Sequence, residues 1–280
     1  MTAGRRGRWR KRSTLAPWGF LPTQLAGPDS SVPAAAADAR RGPVLAAAGT
    51  GAAALLGLSL STRPGSPRFY FLTMGLAGTW AAGALSSGPL PLDKPGSRRG
   101  ARSVVMPVLT AAGAFGLFYG AARLARHIPP LSRAIGDVLD YADGGAKPLV
   151  LLTASANAVA EELFFRGALW TAAQQTYPIT TTTLAYAATT AATRNPALVL
   201  AGTATSVLFG LQRRATGGIL APALSHLTWS LLMLTYLPPL YRPLSRPGSE
   251  IDRRMADIGM QPGVALALLG GRGLEAGLAG

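Results

Sequence analysis

The sequence predicts an all-α fold, a polytopic membrane bundle of about seven spanning helices in a range of roughly six to eight. Apolar residues make up 49% of the chain and charged residues only 14%, against about 25% in soluble domains. Long apolar runs follow one another with short connections between them. Between residues 144 and 249 the only acidic residues are Glu161 and Glu162. So long a stretch with so few charges is typical of a chain embedded in lipid.

The chain divides into three predicted parts. Residues 1–42 combine arginines, prolines, glycines and the alanine run at 34–37, which predicts a disordered basic tail. Residues 43–240 form the predicted transmembrane domain, and residues 241–280 form a polar C-terminal tail. The predicted spans are residues 43–60, 69–87, 103–124, 148–172, 178–193, 196–212 and 217–240.

Residues 125–147 are predicted to lie at the membrane surface rather than across it. Asp137, Asp140 and Asp143 follow one another at a three-residue spacing, which places them close together on one helix and makes one side polar. Gly144 and Gly145 follow the last of them and are expected to end the helix. The segment therefore predicts an interfacial helix between the third and fourth spans.

The net charge of +15 is concentrated in the N-terminal tail and in the connections. Basic residues beside spans attract anionic lipid headgroups and are enriched on the cytoplasmic side. We therefore expect a multi-pass protein of the cell membrane with a cytoplasmic N-terminus, and no nucleic-acid partner. The chain has no cysteine, which excludes disulfides, thiolate metal sites and a cysteine nucleophile.

The fourth predicted span carries Glu161, Glu162 and Arg166. Glu161 lies about 20 Å along the helix from Pro148, past the middle of a hydrocarbon core about 30 Å thick. An ionised residue at that depth costs about 2.5–3.5 kcal/mol on insertion scales, so it persists where a wet cavity and partners exist. Glu162 and Arg166 are four residues apart and can pair. Glu161 points about 100° away and is left for general-base chemistry.

Two later helices carry the other candidate residues. His226 and Ser230 share a face of the seventh span, and Arg213 ends the sixth span four residues after Phe209. A lone histidine in a helix is more often a packing residue than a catalytic one. His226 is a candidate catalytic residue because of the two glutamates, since a carboxylate and an imidazole together can activate water. The structural alternative is a polar seam in which all these charges only join helices.

Together these stretches resemble the CPBP family of intramembrane proteases, which is related to the type II CAAX prenyl endopeptidases. The family pattern is EExxxR, then FxxxH, then HxxxN/D, on successive membrane helices. Glu161, Glu162 and Arg166 match the first motif, and His226 matches the third. The resemblance covers a core of residues 148–235. It implies an intramembrane endopeptidase that acts on a membrane-embedded or membrane-associated protein or peptide.

The resemblance also implies roles for the individual residues. Glu161 would activate water, Glu162 with Arg166 would form its scaffold, and His226 would polarise the scissile carbonyl or its oxyanion. The chain departs from the pattern twice: Arg213 stands at the place of the second-motif histidine, and Ser230 at the place of the third-motif Asn or Asp. Ser230 is expected to be a weaker hydrogen-bond donor. Gln212 or Arg213 would have to supply the missing second-motif group.

Three functions remain open from the sequence: an active endopeptidase, an impaired pseudoprotease that binds or scaffolds membrane proteins, and a proton-coupled transporter that uses Glu161. The transporter predicts broken helices and internal repeats, and the sequence shows neither. No cofactor is expected. A catalytic zinc takes three protein ligands, and Glu161 and His226 are the candidates for a metal, so a zinc site is disfavoured.

Overall fold

The computed structural model describes residues 41–90 and 100–241, and these residues form helices without any strand. A π-helical segment, Leu163–Leu169, interrupts the series. The helices are α1 (Arg41–Ser59), α2 (Pro67–Ser86), α3 (Arg102–Ala125), α4 (Pro129–Asp143), α5 (Lys147–Glu162), α6 (Trp170–Ala173), α7 (Pro178–Ala191), α8 (Pro196–Thr216), α9 (Leu220–Tyr236) and α10 (Pro238–Tyr241).

The predicted all-α membrane bundle is confirmed. Four of the described helices are long and apolar enough to cross a bilayer: Arg41–Ser59, Arg102–Ala125, Lys147–Ala173 and Leu220–Tyr241. The third of these is continuous through α5, the π-helical segment and α6. The chain is thus a multi-pass helical membrane protein, and the count of seven spans stays a prediction. Helix α7 has 14 residues and a length of about 21 Å, short for a span.

Proline at the first or second position begins five of the described helices that have at least 14 residues. It suits this place because its missing N–H has no intrahelical partner there. Two of the starts are also capped by side chains: Ser66 accepts a hydrogen bond from the N–H of Phe69, and Asn195 accepts one from Leu198. The prolines are Pro67, Pro129, Pro148, Pro178 and Pro196.

Helix α4 is the predicted separate helix between the third and fourth spans. It ends at Asp143 with Gly144 as its C-cap, as expected. Its buried residues Ala134, Ile135 and Leu139 face the bundle, and Asp137 is exposed. The hydroxyl of Tyr141 donates to the carbonyls of Leu60 at 2.6 Å and Thr62 at 2.7 Å. Burial, and then Asp137 and Asp140, raise the pKa of Tyr141.

Small residues bring the first two helices into close contact. A Cβ on Gly83 of α2 would lie 2.3 Å from the Cβ of Ala48 on α1, so only glycine fits there. Beside this contact the ring of Trp80 lies 4.5 Å from that of Phe164 and 4.9 Å from that of Phe165. Close backbone approach is what drives helix association in lipid. Here it lets Trp80 pack against Phe164 and Phe165, which follow Glu162 closely in the chain.

The predicted tails fall almost wholly outside the described residues. Helix α1 begins at Arg41, two residues before the first predicted span. The described residues up to Pro238 belong to one compact unit, and a second unit begins at Pro239. The domain boundaries at residues 42 and 241 stay predictions.

Candidate functional site

The helix that carries the two glutamates widens into a π-helical segment immediately after them. The N–H of Trp170 donates to the carbonyl of Phe165, five residues earlier. Nε of Arg213 donates to the carbonyl of Arg166 at 2.9 Å, and Oγ1 of Thr171 donates to that of Gly167 at 2.7 Å. The sequence predicts an unbroken α-helix over residues 148–172, and the structure differs from this prediction in the π-helical segment. Carbonyls inside it accept side-chain donors, and such segments are frequent at functional sites.

Glu162 and Arg166 form the ion pair that their spacing predicts. Nη1 of Arg166 lies 3.1 Å from Oε1 of Glu162, and both side chains are fully buried. Nη2 of Arg166 donates to Oγ and to the carbonyl oxygen of Ser206 on α8, both at 2.9 Å. A buried carboxylate is tolerated when it has an opposite charge and hydrogen bonds. The pair therefore ties the glutamate helix to α8.

His226 of α9 joins the same carboxylate. Its Nδ1 lies 2.9 Å from Oε1 of Glu162, so Oε1 serves both Arg166 and His226. Since a carboxylate only accepts hydrogen bonds, Nδ1 carries the proton in this contact. The other ring nitrogen, Nε2, is directed towards Glu161, 4.0 Å from its Oε2. The ring of Phe209 packs against the imidazole, with centroids 5.0 Å apart and the two planes tilted by 32°.

Glu161 is turned away from the ion pair, as the helical spacing predicts. Its Oε2 accepts a hydrogen bond of 2.6 Å from the hydroxyl of Tyr186 on α7. Glu161 is 16% exposed and His226 is 12% exposed, whereas Glu162 and Arg166 are fully buried. The outer pair can therefore meet water or a ligand, and the inner pair cannot.

A cavity of about 340 Å³ brings these exposed groups together. Glu161, Tyr186, His226 and Ser230 all line it. Most of its other walls are apolar and come from α1, α2, α4, α5 and α9. Along α5 the lining extends from Val150 to Glu161, about 16 Å of helix. The chemistry-bearing side chains thus lie on a pocket whose lining is mostly apolar.

Arg213, at the place of the second-motif histidine, and its neighbour Gln212 lie away from the cavity. Arg213 is fully buried, donates to the Arg166 carbonyl, and holds its guanidinium 5.4 Å from the ring centroid of Trp170. Nε2 of Gln212 donates to Oγ of Ser225 at 2.8 Å. Neither residue is among those that line the cavity. Both side chains have hydrogen-bond partners elsewhere in the bundle.

Tyr186 is the site residue that sequence reasoning missed. It lies in the Thr- and Ala-rich helix α7, outside every motif, and 25 residues separate it from Glu161. The one available signal is that it is the single tyrosine inside an otherwise small-residue span. A pairing across helices leaves no mark in local sequence.

The donor set does not fit a catalytic zinc. Among residues 41–90 and 100–241 no group of three His, Cys, Asp or Glu side chains is arranged to hold a metal. Glu161 and His226 would supply two donors, while Oε1 of Glu162 is taken by Arg166 and His226. Zinc takes three protein ligands in catalytic sites.

Comparison with protein families gives one match that covers the site. Residues 144–232 match the family model described as type II CAAX prenyl endopeptidase Rce1-like. The matched region begins at the C-cap of α4 and ends within α9, so it contains every motif residue described above. The resemblance that the motifs indicated is confirmed. None of the curated proteins and none of the solved structures matches the chain.

Proposed function

We propose that the chain is an intramembrane endopeptidase that hydrolyses a peptide bond within or beside the membrane. One observation carries the proposal: Glu161 and His226 approach to 4.0 Å at the wall of one cavity. The family match over residues 144–232 supports the reaction class. The roles of the individual residues below are part of the proposal.

A single water fits between the two side chains. Two hydrogen bonds of about 2.8 Å that meet at one water place their outer atoms about 4.5 Å apart. The separation of 4.0 Å between Oε2 of Glu161 and Nε2 of His226 is close to that value and too long for a direct hydrogen bond. With Nδ1–H donated to Glu162, Nε2 of a neutral imidazole carries the lone pair. Both atoms can then accept from the same water.

In the proposed reaction the Glu161 carboxylate removes a proton from this water while the water oxygen attacks the scissile carbonyl. The tetrahedral intermediate collapses with cleavage of the C–N bond, and the leaving amine takes the proton from Glu161. General acid–base catalysis of this kind contributes about 10²–10⁴ in rate. His226 orients the water, so its role differs from the carbonyl-polarising role that the resemblance implies. We assign the hydroxyl of Ser230, which lines the same cavity, as the donor to the oxyanion.

The arrangement predicts that Glu161→Gln strongly reduces the rate of cleavage. The amide cannot take the proton, so the rate should fall by about 10²–10⁴, while the amount of folded protein stays that of the wild type. The measurement is cleavage of quenched-fluorescence peptides by the full chain reconstituted in vesicles. Asp140→Asn is the matched control, because it removes a carboxylate that is exposed on α4. A Glu161→Gln variant that cleaves at the wild-type rate would exclude this function.

The proposed substrate is a membrane-embedded or membrane-associated protein or peptide. The apolar walls of the cavity favour an apolar segment beside the bond that is cleaved. We also propose that the protein lies in the cell membrane with its basic N-terminal tail on the cytoplasmic side, against anionic headgroups.

The second candidate is a pseudoprotease that binds membrane proteins without cleaving them. The placement of Arg213 favours it, because this residue is buried and donates to a backbone carbonyl at the place where the second motif has a histidine. The assay above separates the two candidates. A wild type without turnover, whose capture of membrane peptides is unchanged in Glu161→Gln, would support binding alone.

A further inference from the structure

Tyr186 holds the carboxylate on which the proposed reaction depends. Its hydroxyl donates to Oε2 of Glu161 at 2.6 Å. Within the described residues this is the one hydrogen bond made by the Glu161 side chain, since Nε2 of His226 lies too far away at 4.0 Å. Without it, the carboxylate could rotate within the cavity.

The position of the hydroxyl is fixed by packing around the ring. The ring centroid of Tyr186 lies 4.8 Å from that of Phe165, and the Arg166 guanidinium lies 5.6 Å from it. On the α8 side, a Cβ added to Gly202 would lie 2.9 Å from a ring carbon, so glycine provides the space that the ring fills. Held by α5, α8 and the π-helical segment, the phenol is a rigid donor.

Rigidity matters because the reacting geometry tolerates little error. A displacement of about 1 Å in a catalytic group can cost about 10²-fold in rate. Oε2 of Glu161 is both the atom that Tyr186 contacts and the atom that faces His226. Any change in the Tyr186 hydrogen bond therefore changes the distance at which the proposed water is held.

We propose that Tyr186 is a positioning residue for Glu161 in the hydrolysis proposed above, on which this inference rests. It donates a hydrogen bond to the carboxylate and keeps it opposite Nε2 of His226. Tyr186 thus provides an ordering contact from α7, a helix that carries none of the family motifs. The residue acts through Glu161 and takes no proton itself.

The test compares Tyr186→Phe, Glu161→Gln and the double variant in the full chain in vesicles. Tyr186→Phe keeps the ring and removes one oxygen, so kcat should fall about 10- to 100-fold with KM within about twofold of the wild type. In the Glu161→Gln background, Tyr186→Phe should leave the residual rate unchanged, because the two residues act as one unit. Tyr119→Phe on α3, outside the cavity, should retain the wild-type kcat.

A second measurement reports on the hydrogen bond without turnover. The infrared carboxyl band of Glu161, assigned by its loss in Glu161→Gln, should shift in Tyr186→Phe. A shifted band with unchanged kcat overturns the positioning role and leaves the proposed function standing. An unshifted band overturns the contact itself. A wild type without turnover overturns the proposed function and this inference with it.

Discussion

Arg166 and Arg213 are both fully buried and both lie against aromatic rings, yet they stabilise different things. Arg166 pairs with Glu162, whose Oε1 also contacts Nδ1 of His226. Arg213 donates to the backbone carbonyl of Arg166 and so braces the π-helical segment. One arginine belongs to the charge cluster and the other to its support. A buried cation is therefore no sign of chemistry until its partners are known.

The largest effect is expected from Arg166→Met. It leaves Glu162 buried without its cation, and breaking a buried ion pair from one side costs about 3–5 kcal/mol. The free energy of unfolding in detergent micelles measures the loss. The double variant Glu162→Gln/Arg166→Met should recover part of it, because no unpaired charge remains. Wild-type stability in the single variant would contradict the pairing.

Arg213→Met should cost less, about 1.5–3 kcal/mol, the range for a hydrogen bond with a charged partner. The methionine removes both the donor to the Arg166 carbonyl and the guanidinium that lies over the Trp170 ring. The same unfolding measurement applies. A loss of unfolding free energy larger than that of Arg166→Met would show that the Arg213 hydrogen bond contributes more than the Glu162–Arg166 ion pair.

The smallest effect is expected from Ser206→Ala, about 1 kcal/mol. Nη2 of Arg166 loses the Ser206 hydroxyl but keeps the Ser206 carbonyl at 2.9 Å. Thr203→Ala is the control on the same helix, since its hydroxyl bonds only within α8, to the Val199 carbonyl. Equal losses in the two variants would mean that the Ser206 hydroxyl contributes nothing specific to Arg166.

The two arginines also differ in how far the sequence predicts them. The Glu162–Arg166 pair follows from a four-residue spacing on one helix, where side chains meet whatever the rest of the fold does. The partner of Arg213 lies 47 residues away on another helix, and helix packing alone brings them together. For that reason the sequence could not show that Arg213 lies away from the cavity, against the π-helical segment.

Local pattern determined the helical class, the helix starts at proline, the end of α4 before Gly144 and the angle of about 100° between Glu161 and Glu162. These depend on hydropathy and on contacts within one or two turns, which a single helix already fixes. Tertiary packing decided that His226 meets both glutamates, that Tyr186 anchors Glu161 and that the helix widens after Glu162. Such contacts join residues from separate helices, and their distances are set only when small residues let those helices pack closely.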